Sequence, residues 1–157
     1  MSRVTRATKA LEQAGVAFTV HSYDYDPGAD RIGLQAAEAV GESPERVLKT
    51  LMALVDGKPA CVIAPSDREV SMKKLAAAFG GKSAQMMKPA EAERASGYKV
   101  SEISPFGQTR RVPTAIEAQA MAQDFVFING GQRGLQVRLN PRDAAILLKA
   151  VVAPLAA

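Results

Sequence analysis

Residues 47–65, VLKTLMALVDGKPACVIAP, consist of two apolar runs separated by Asp56-Gly57. Asp-Gly accepts the positive φ angles of a two-residue hairpin turn, so the stretch reads as two antiparallel strands. The runs stay apolar almost without interruption, where a sheet with one wet face would alternate. Both faces of this hairpin therefore need cover, which the rest of the chain must supply.

Upstream, Ser2 is placed to cap a helix whose apolar positions Val4, Ala7, Leu11 and Ala14 recur at helical spacing and which ends at Gly15. VAFTVHSY (16–23) has the β-branched and aromatic content of a strand, DYDPGAD (24–30) breaks the chain, and RIGLQAAEAVG (31–41) is a short helix closed by Gly41. Ser43-Pro44 starts a brief helical turn, since proline at the first helical position loses no hydrogen bond. Downstream, Ser71 caps MKKLAAAFGG, and KPAEAERASG is a helix with Pro89 near its start. From residue 97 the pattern turns β-rich: a polar loop GYKVSEISPFGQTRRVPT (97–114), then strands TAIEA, DFVFING and LQVRL. In the last of these, Leu135, Val137 and Leu139 alternate onto one buried face. Asn140 and Pro141 open a final helix, RDAAILLKAVV (142–152). No repeat, low-complexity tract or linker interrupts residues 1–157, which predicts one α+β domain with a mixed sheet and peripheral helices.

Composition removes several classes of chemistry. At 157 residues and 47% hydrophobic the chain can bury a real core. No run reaches the roughly 18 apolar residues of a membrane span, and MSRVTRATKALEQAG lacks the apolar centre of a signal peptide, so a cytoplasmic protein is expected. Cys61 sits in PACVIAP as a small buried hydrophobe. The one histidine, His21, lies in a predicted strand near no nucleophile motif, which argues against a Ser-His-Asp or Cys-His triad. Asp24, Asp26 and Asp30 lack the closing glutamate of a calcium loop, and INGGQRG has neither dinucleotide nor phosphate-loop spacing. No metal or cofactor is implied. The net charge of +4 is unevenly spread: residues 1–70 carry 8 basic and 10 acidic side chains, residues 71–157 carry 12 and 6. That asymmetry suits a phosphate-bearing partner as well as an ordinary solvated surface.

Lys49 interrupts the first apolar run, flanked by Val47, Leu48 and Leu51. Its ammonium either escapes to solvent or points into a polar pocket, where a buried charge needs an anionic partner such as a ligand phosphate. One lysine, several hydroxyls and two amide-rich loops can position an activated substrate such as an ester.

Five segments in register, VHSYDYDP, VLKTLMALVDG, SMKKLAAAFGG, ASGYKVSEISPFGQTRRVPT and GGQRGLQVRL, resemble the YbaK/EbsC family, free-standing relatives of the editing domain inserted in bacterial prolyl-tRNA synthetases. The resemblance implies a single-domain α+β fold whose mixed, mostly antiparallel six- or seven-stranded sheet is rolled around a pocket. It also implies an aminoacyl-tRNA deacylase that removes a wrongly attached amino acid, most often cysteine from the proline tRNA, with the substrate's own thiol attacking the ester. Lys49 matches the family's functional lysine and Ser101 joins it as a catalytic candidate. Tyr23, Ile32, Thr50, Ile103, Ser104, Pro105, Gly130, Gly131, Arg133, Gly134 and Gln136 are the implied substrate-binding set. Arg110 and Arg111 would face tRNA phosphates. The implied partner is the acceptor end of aminoacyl-tRNA, with prolyl-tRNA synthetase a candidate second partner and neither membrane nor DNA involved; a monomer is the default.

Three positions depart from the family pattern. Ser101 stands where relatives have the first glycine of a GxxxP pattern, and serine meets backbone angles that glycine tolerates only at a cost. Gln136 replaces an aspartate and Ile32 an aromatic residue. They leave the amino acid open, with alanine or serine as alternatives to cysteine. A module that binds tRNA or a synthetase without turnover is the competing reading from another class.

Overall fold

The computed structural model describes residues 4–24 and 32–157, with the side chain of Ile32 outside the description. At its centre, β2 (Val47–Val55) and β3 (Lys58–Pro65) pair antiparallel in the register Val55↔Lys58 to Leu48↔Pro65. Asp56 and Gly57 both take positive φ, 50° and 79°, which makes the connection a type I′ turn.

Around this hairpin the sheet also contains β1 (Phe18–Ser22), β4 (Ala84–Met86), β5 (Thr114–Glu117), β6 (Val126–Asn129), β7 (Leu135–Leu139) and β8 (Val151–Ala153). The order is β1-β7-β6-β2-β3-β5-β8, with β4 added alongside β2. The β2/β6, β3/β5 and β5/β8 contacts are parallel and the other four antiparallel. Among the described residues the sheet has eight strands, and it does not close: β1 pairs only with β7 and β8 only with β5. This corrects the expectation of six or seven strands rolled around a pocket.

Helices cover both faces, as the apolar hairpin requires. Leu48, Ile63, Ile116, Ile128 and Val137 pack against Ala7 and Leu11 of α1 (Arg6–Gln13) and Ala144 of α5 (Pro141–Leu148). On the other side Ala53, Val55 and Val62 meet Leu75 of α3 (Met72–Ala78), while Val47 and Phe127 meet Ala36 and Ala37 of α2 (Ile32–Val40). Met52 and Cys61 are covered by Ala92 of α4 (Pro89–Ser96) and by Tyr98 and Ile103 of the following loop. Complete burial of one such aliphatic side chain is worth about 1.5–3 kcal/mol.

Two boundaries differ from the sequence reading. Thr5, not Ser2, caps α1: its hydroxyl accepts from the Thr8 N–H while the Thr8 hydroxyl accepts from the Thr5 N–H at 2.8 Å. Ser2 lies outside the described residues. The last helix stops at Leu148 because Lys149 turns left-handed, with φ of 51°. The β-branched pair Val151-Val152 then joins β5 as β8, a short strand that the helical pattern before it conceals. Ser71 and Asn140 do cap α3 and α5, accepting from the N–H groups of Lys74 and Arg142.

Candidate functional site

The parallel contact between β2 and β6 lasts only two residue pairs, Val47↔Phe127 and Leu48↔Ile128. Beyond it β6 ends at Asn129 and β2 runs on, and the gap between them opens into a cavity of about 230 Å³. Lys49 and Thr50 line it from β2, Gln136 from β7, and Ser101 and Ile103 from the loop after α4. Ala36, Val47, Leu48, Leu51 and Val100 supply apolar wall. Lys49 is the one charged side chain among these described lining residues.

Five residues singled out in the sequence thus share one cavity. Gln136 is 4% exposed, and its Oε1, like Thr50 Oγ1, is a buried polar atom without a hydrogen-bond partner among the described residues. Buried polar atoms are nearly always paired, so two orphans bordering one cavity mark a place for a ligand's donors.

Ser101 lies in a short helical turn, Val100–Glu102, and is not among the residues with positive φ. Serine therefore carries no backbone penalty there, contrary to the cost expected from its replacing glycine. Its Oγ accepts from Arg133 Nε at 2.6 Å, and Arg133 also faces Glu102 at 3.8 Å. This clamp ties the loop after α4 to the turn between β6 and β7.

That turn is built for close packing. Gly131 and Gly134 take positive φ, and a Cβ on Gly131 would stand 3.0 Å from the Tyr98 ring. The Gly130 N–H donates to the Leu135 carbonyl and the Gly131 N–H to Asn129 Oδ1, so these two amides are engaged within the turn. Asn129 both lines the cavity and holds the turn, a role the sequence reading missed; the Asn-Gly-Gly order, suited to an Asx turn, was the available signal.

Of the remaining candidates, none whose side chain is described lines the cavity. Tyr23 packs with Val47 and Phe127 beneath it, its N–H donating to the Gly134 carbonyl at 2.8 Å. Ile32 opens α2, and its side chain lies outside the described residues. Ser104 is buried, its hydroxyl accepting from the Phe106 N–H and its carbonyl from Gln108 Nε2. Pro105, Arg110 and Arg111 border a different cavity. His21 contacts Thr19 and the edge of Phe127. Burial pushes the Cys61 thiol up to about 12, despite opposing hydrogen bonds, which makes it inert. Among the described residues no three His, Cys, Asp or Glu side chains gather as a metal site, and Asp26 and Asp30 lie outside the description. No helix there is long and apolar enough to cross a membrane.

Residues 26–146 match the family model described as "Aminoacyl-tRNA editing domain". The Enterococcus faecalis protein named "Putative Cys-tRNA(Pro)/Cys-tRNA(Cys) deacylase EbsC" is 29% identical over 139 residues, 87% of this chain and 84% of that one. A proline–tRNA ligase of Nitratidesulfovibrio vulgaris is 30% identical over 122 residues, which are 76% of this chain but only 21% of the ligase. In fold, the chain is similar to a solved structure titled "Crystal structure of a putative trans-editing enzyme for prolyl tRNA synthetase". The TM-score is 0.82 at 21% identity, covering 97% of this chain and 95% of that one.

Proposed function

The chain belongs to the aminoacyl-tRNA editing domain family, and from that membership we propose that it acts in trans as a deacylase, hydrolysing the ester of mischarged tRNA, with Cys-tRNA(Pro) the leading substrate. The observation that carries this reading is the cavity where Lys49 meets two buried, unpartnered polar atoms, Thr50 Oγ1 and Gln136 Oε1. Residues 1–157 serve as the editing unit, working in the cytoplasm on the acceptor end of aminoacyl-tRNA. The match to part of a proline–tRNA ligase supports prolyl-tRNA synthetase as the enzyme it accompanies.

Lys49 anchors the phosphate or terminal adenosine, a charge-assisted contact that suits an ammonium bordered by apolar wall. Gln136 Oε1 accepts from the α-ammonium group of the esterified amino acid, and the Thr50 hydroxyl bonds beside it. Ser101, held by Arg133, shapes the entrance with Ile103, while Ser104 and Pro105 continue the same loop away from the cavity and Tyr23 and the Gly130–Gly134 turn support the wall from behind. With cysteine as the amino acid, its sulfur attacks the ester carbonyl carbon. A carbon–sulfur bond forms, the carbon–oxygen bond to ribose breaks, and the thiol proton passes to the departing ribose oxygen. Water then opens the cyclic thioester. The cavity needs only to hold these atoms in line, which by itself accounts for large rate gains.

A second reading, removal of serine or alanine, is favoured by the neutral Gln136 and the Thr50 hydroxyl, which would equally meet a serine hydroxyl. Purified protein assayed against tRNAs carrying cysteine, serine, alanine and proline separates the two. Lys49→Ala is expected to lower kcat/KM by at least about 100-fold, the scale of losing one oriented charged donor, with an unchanged unfolding midpoint. A fully active variant sinks the assignment of Lys49, and tight tRNA binding with no turnover on any substrate selects a binding module instead.

A further inference from the structure

The loop between α4 and β5 borders two cavities that have no lining residue in common. Val100, Ser101 and Ile103 face the Lys49 cavity, and Pro105 to Gln108 and Arg110 to Val112 contribute to a second of about 220 Å³. The second has an apolar floor of Ala10 from α1, Phe106, and Leu147 and Leu148 from α5. Its rim holds Arg110 and Arg111, both exposed, and no acidic residue. Neither guanidinium has a carboxylate partner among the described residues, although Arg110 also borders a neighbouring depression with Glu91.

This cavity is preformed rather than a gap in a loose loop. The Tyr98 hydroxyl donates to the Phe106 carbonyl at 2.5 Å, and Gln108 Nε2 donates to the Ser104 carbonyl at 2.9 Å. Gly107, at φ of 70°, lies so close to α1 that a Cβ there would stand 2.6 Å from the Arg6 carbonyl oxygen.

We propose that this second cavity seats a nucleotide of the acceptor strand upstream of the esterified adenosine, its base on the apolar floor and its phosphates on Arg110 and Arg111. This rests on the editing function assigned to the Lys49 cavity. An inorganic anion would use the rim and leave the floor in water. A nucleotide has both parts, a flat ring that stacks and a phosphate that matches the guanidinium fork. A strand whose 3′ end occupies one cavity also delivers its preceding nucleotides to the adjoining surface at high effective concentration. The net +6 of residues 71–157, which contain the rim, draws in the same direction.

The test compares two substrates, full-length aminoacyl-tRNA and the same amino acid esterified to adenosine alone. The double variant R110A/R111A, altered only at exposed side chains, is expected to lose roughly 10-fold to 100-fold in kcat/KM on the tRNA, the scale of lost charge-assisted phosphate contacts, and nothing on the adenosine ester. Its dependence of log K on log salt should flatten by about 0.7 for each lost phosphate contact. Ala10→Trp, which fills the floor and spares the arginines, should weaken tRNA binding with the salt slope intact. Equal losses on both substrates, or full activity on tRNA with an unchanged slope, overturn the proposal. Should the wild type hydrolyse no aminoacyl-tRNA, the editing function falls separately. Binding of uncharged tRNA to wild type and R110A/R111A then decides the cavity, equal affinity refuting it and weaker binding by the variant upholding it.

Discussion

Glu117, at the end of β5, and Gln136, the second residue of β7, are both polar and both almost out of water, at 2% and 4% exposure. Their partners differ completely. Glu117 Oε1 accepts from the N–H groups of Leu155 and Ala156, and Oε2 from the N–H of Gln119, each at 2.9 Å. Gln136 Oε1 accepts from none of the described residues. Burial would raise the Glu117 pKa, yet these donors together with Arg68 hold it below the usual carboxylate value. A polar group that the chain satisfies from its own backbone is a clasp, here pinning the carboxy-terminal segment to β5. A polar group equally buried and left unsatisfied beside a cavity is a socket.

That contrast can be broken by measurement. Glu117→Ala strands three backbone donors, each worth about 1–3 kcal/mol, so we expect a loss of about 3 kcal/mol in denaturant unfolding with activity per folded molecule retained. A loss below about 0.5 kcal/mol, the scale of an ordinary surface change, would mean that the clasp holds nothing. The same carboxylate sets a pH dependence. Because its folded pKa is depressed, its stabilisation is complete above the ordinary value of 4.5 and is lost as pH falls from there through the lower folded value. Glu117→Gln should flatten that part of the profile; an unaltered acid limb would place the sensitivity elsewhere.

At the socket, Gln136→Leu removes a buried orphan and should leave stability unchanged within about 0.5 kcal/mol or raise it. The kcat/KM values on cysteinyl and seryl substrates should fall together by about tenfold, the loss of one well-placed hydrogen bond to the α-ammonium group that both share. If Gln136→Leu instead destabilises as much as Glu117→Ala, the distinction collapses. The smallest effect concerns Cys61, on the hairpin between the two regions. Its thiol, raised to about 12 by burial, should resist alkylation at pH 8 until the protein unfolds. Rapid labelling under native conditions would reveal an opening sheet.

The elements with strong local codes were readable in advance. Asp56-Gly57 specified the central turn, Ser71 and Asn140 their helix starts, and the alternation of Leu135, Val137 and Leu139 the buried face of β7. The strands that escaped, β4 and β8, have three residues each, too few for periodicity to register. In the cavity, Lys49 stood out because a cation within an apolar run demands an explanation. Asn129 did not, since an Asn before two glycines explains itself as a turn residue. The family resemblance brought Thr50, Ser101, Ile103 and Gln136 to notice, and only the paired strands show which of the matched residues border the same space.

By itself the sequence determined the hairpin, the caps and the need for helices on both faces, because these follow from backbone preferences and from the cost of leaving apolar runs wet. Only the tertiary structure decided that the sheet stays open, that Arg110 and Arg111 border a cavity apart from Lys49, and that Gln136 lacks the partners Glu117 has. Those facts depend on which distant segments end up side by side, and hydrogen-bond satisfaction is a property of that neighbourhood, which no local pattern encodes.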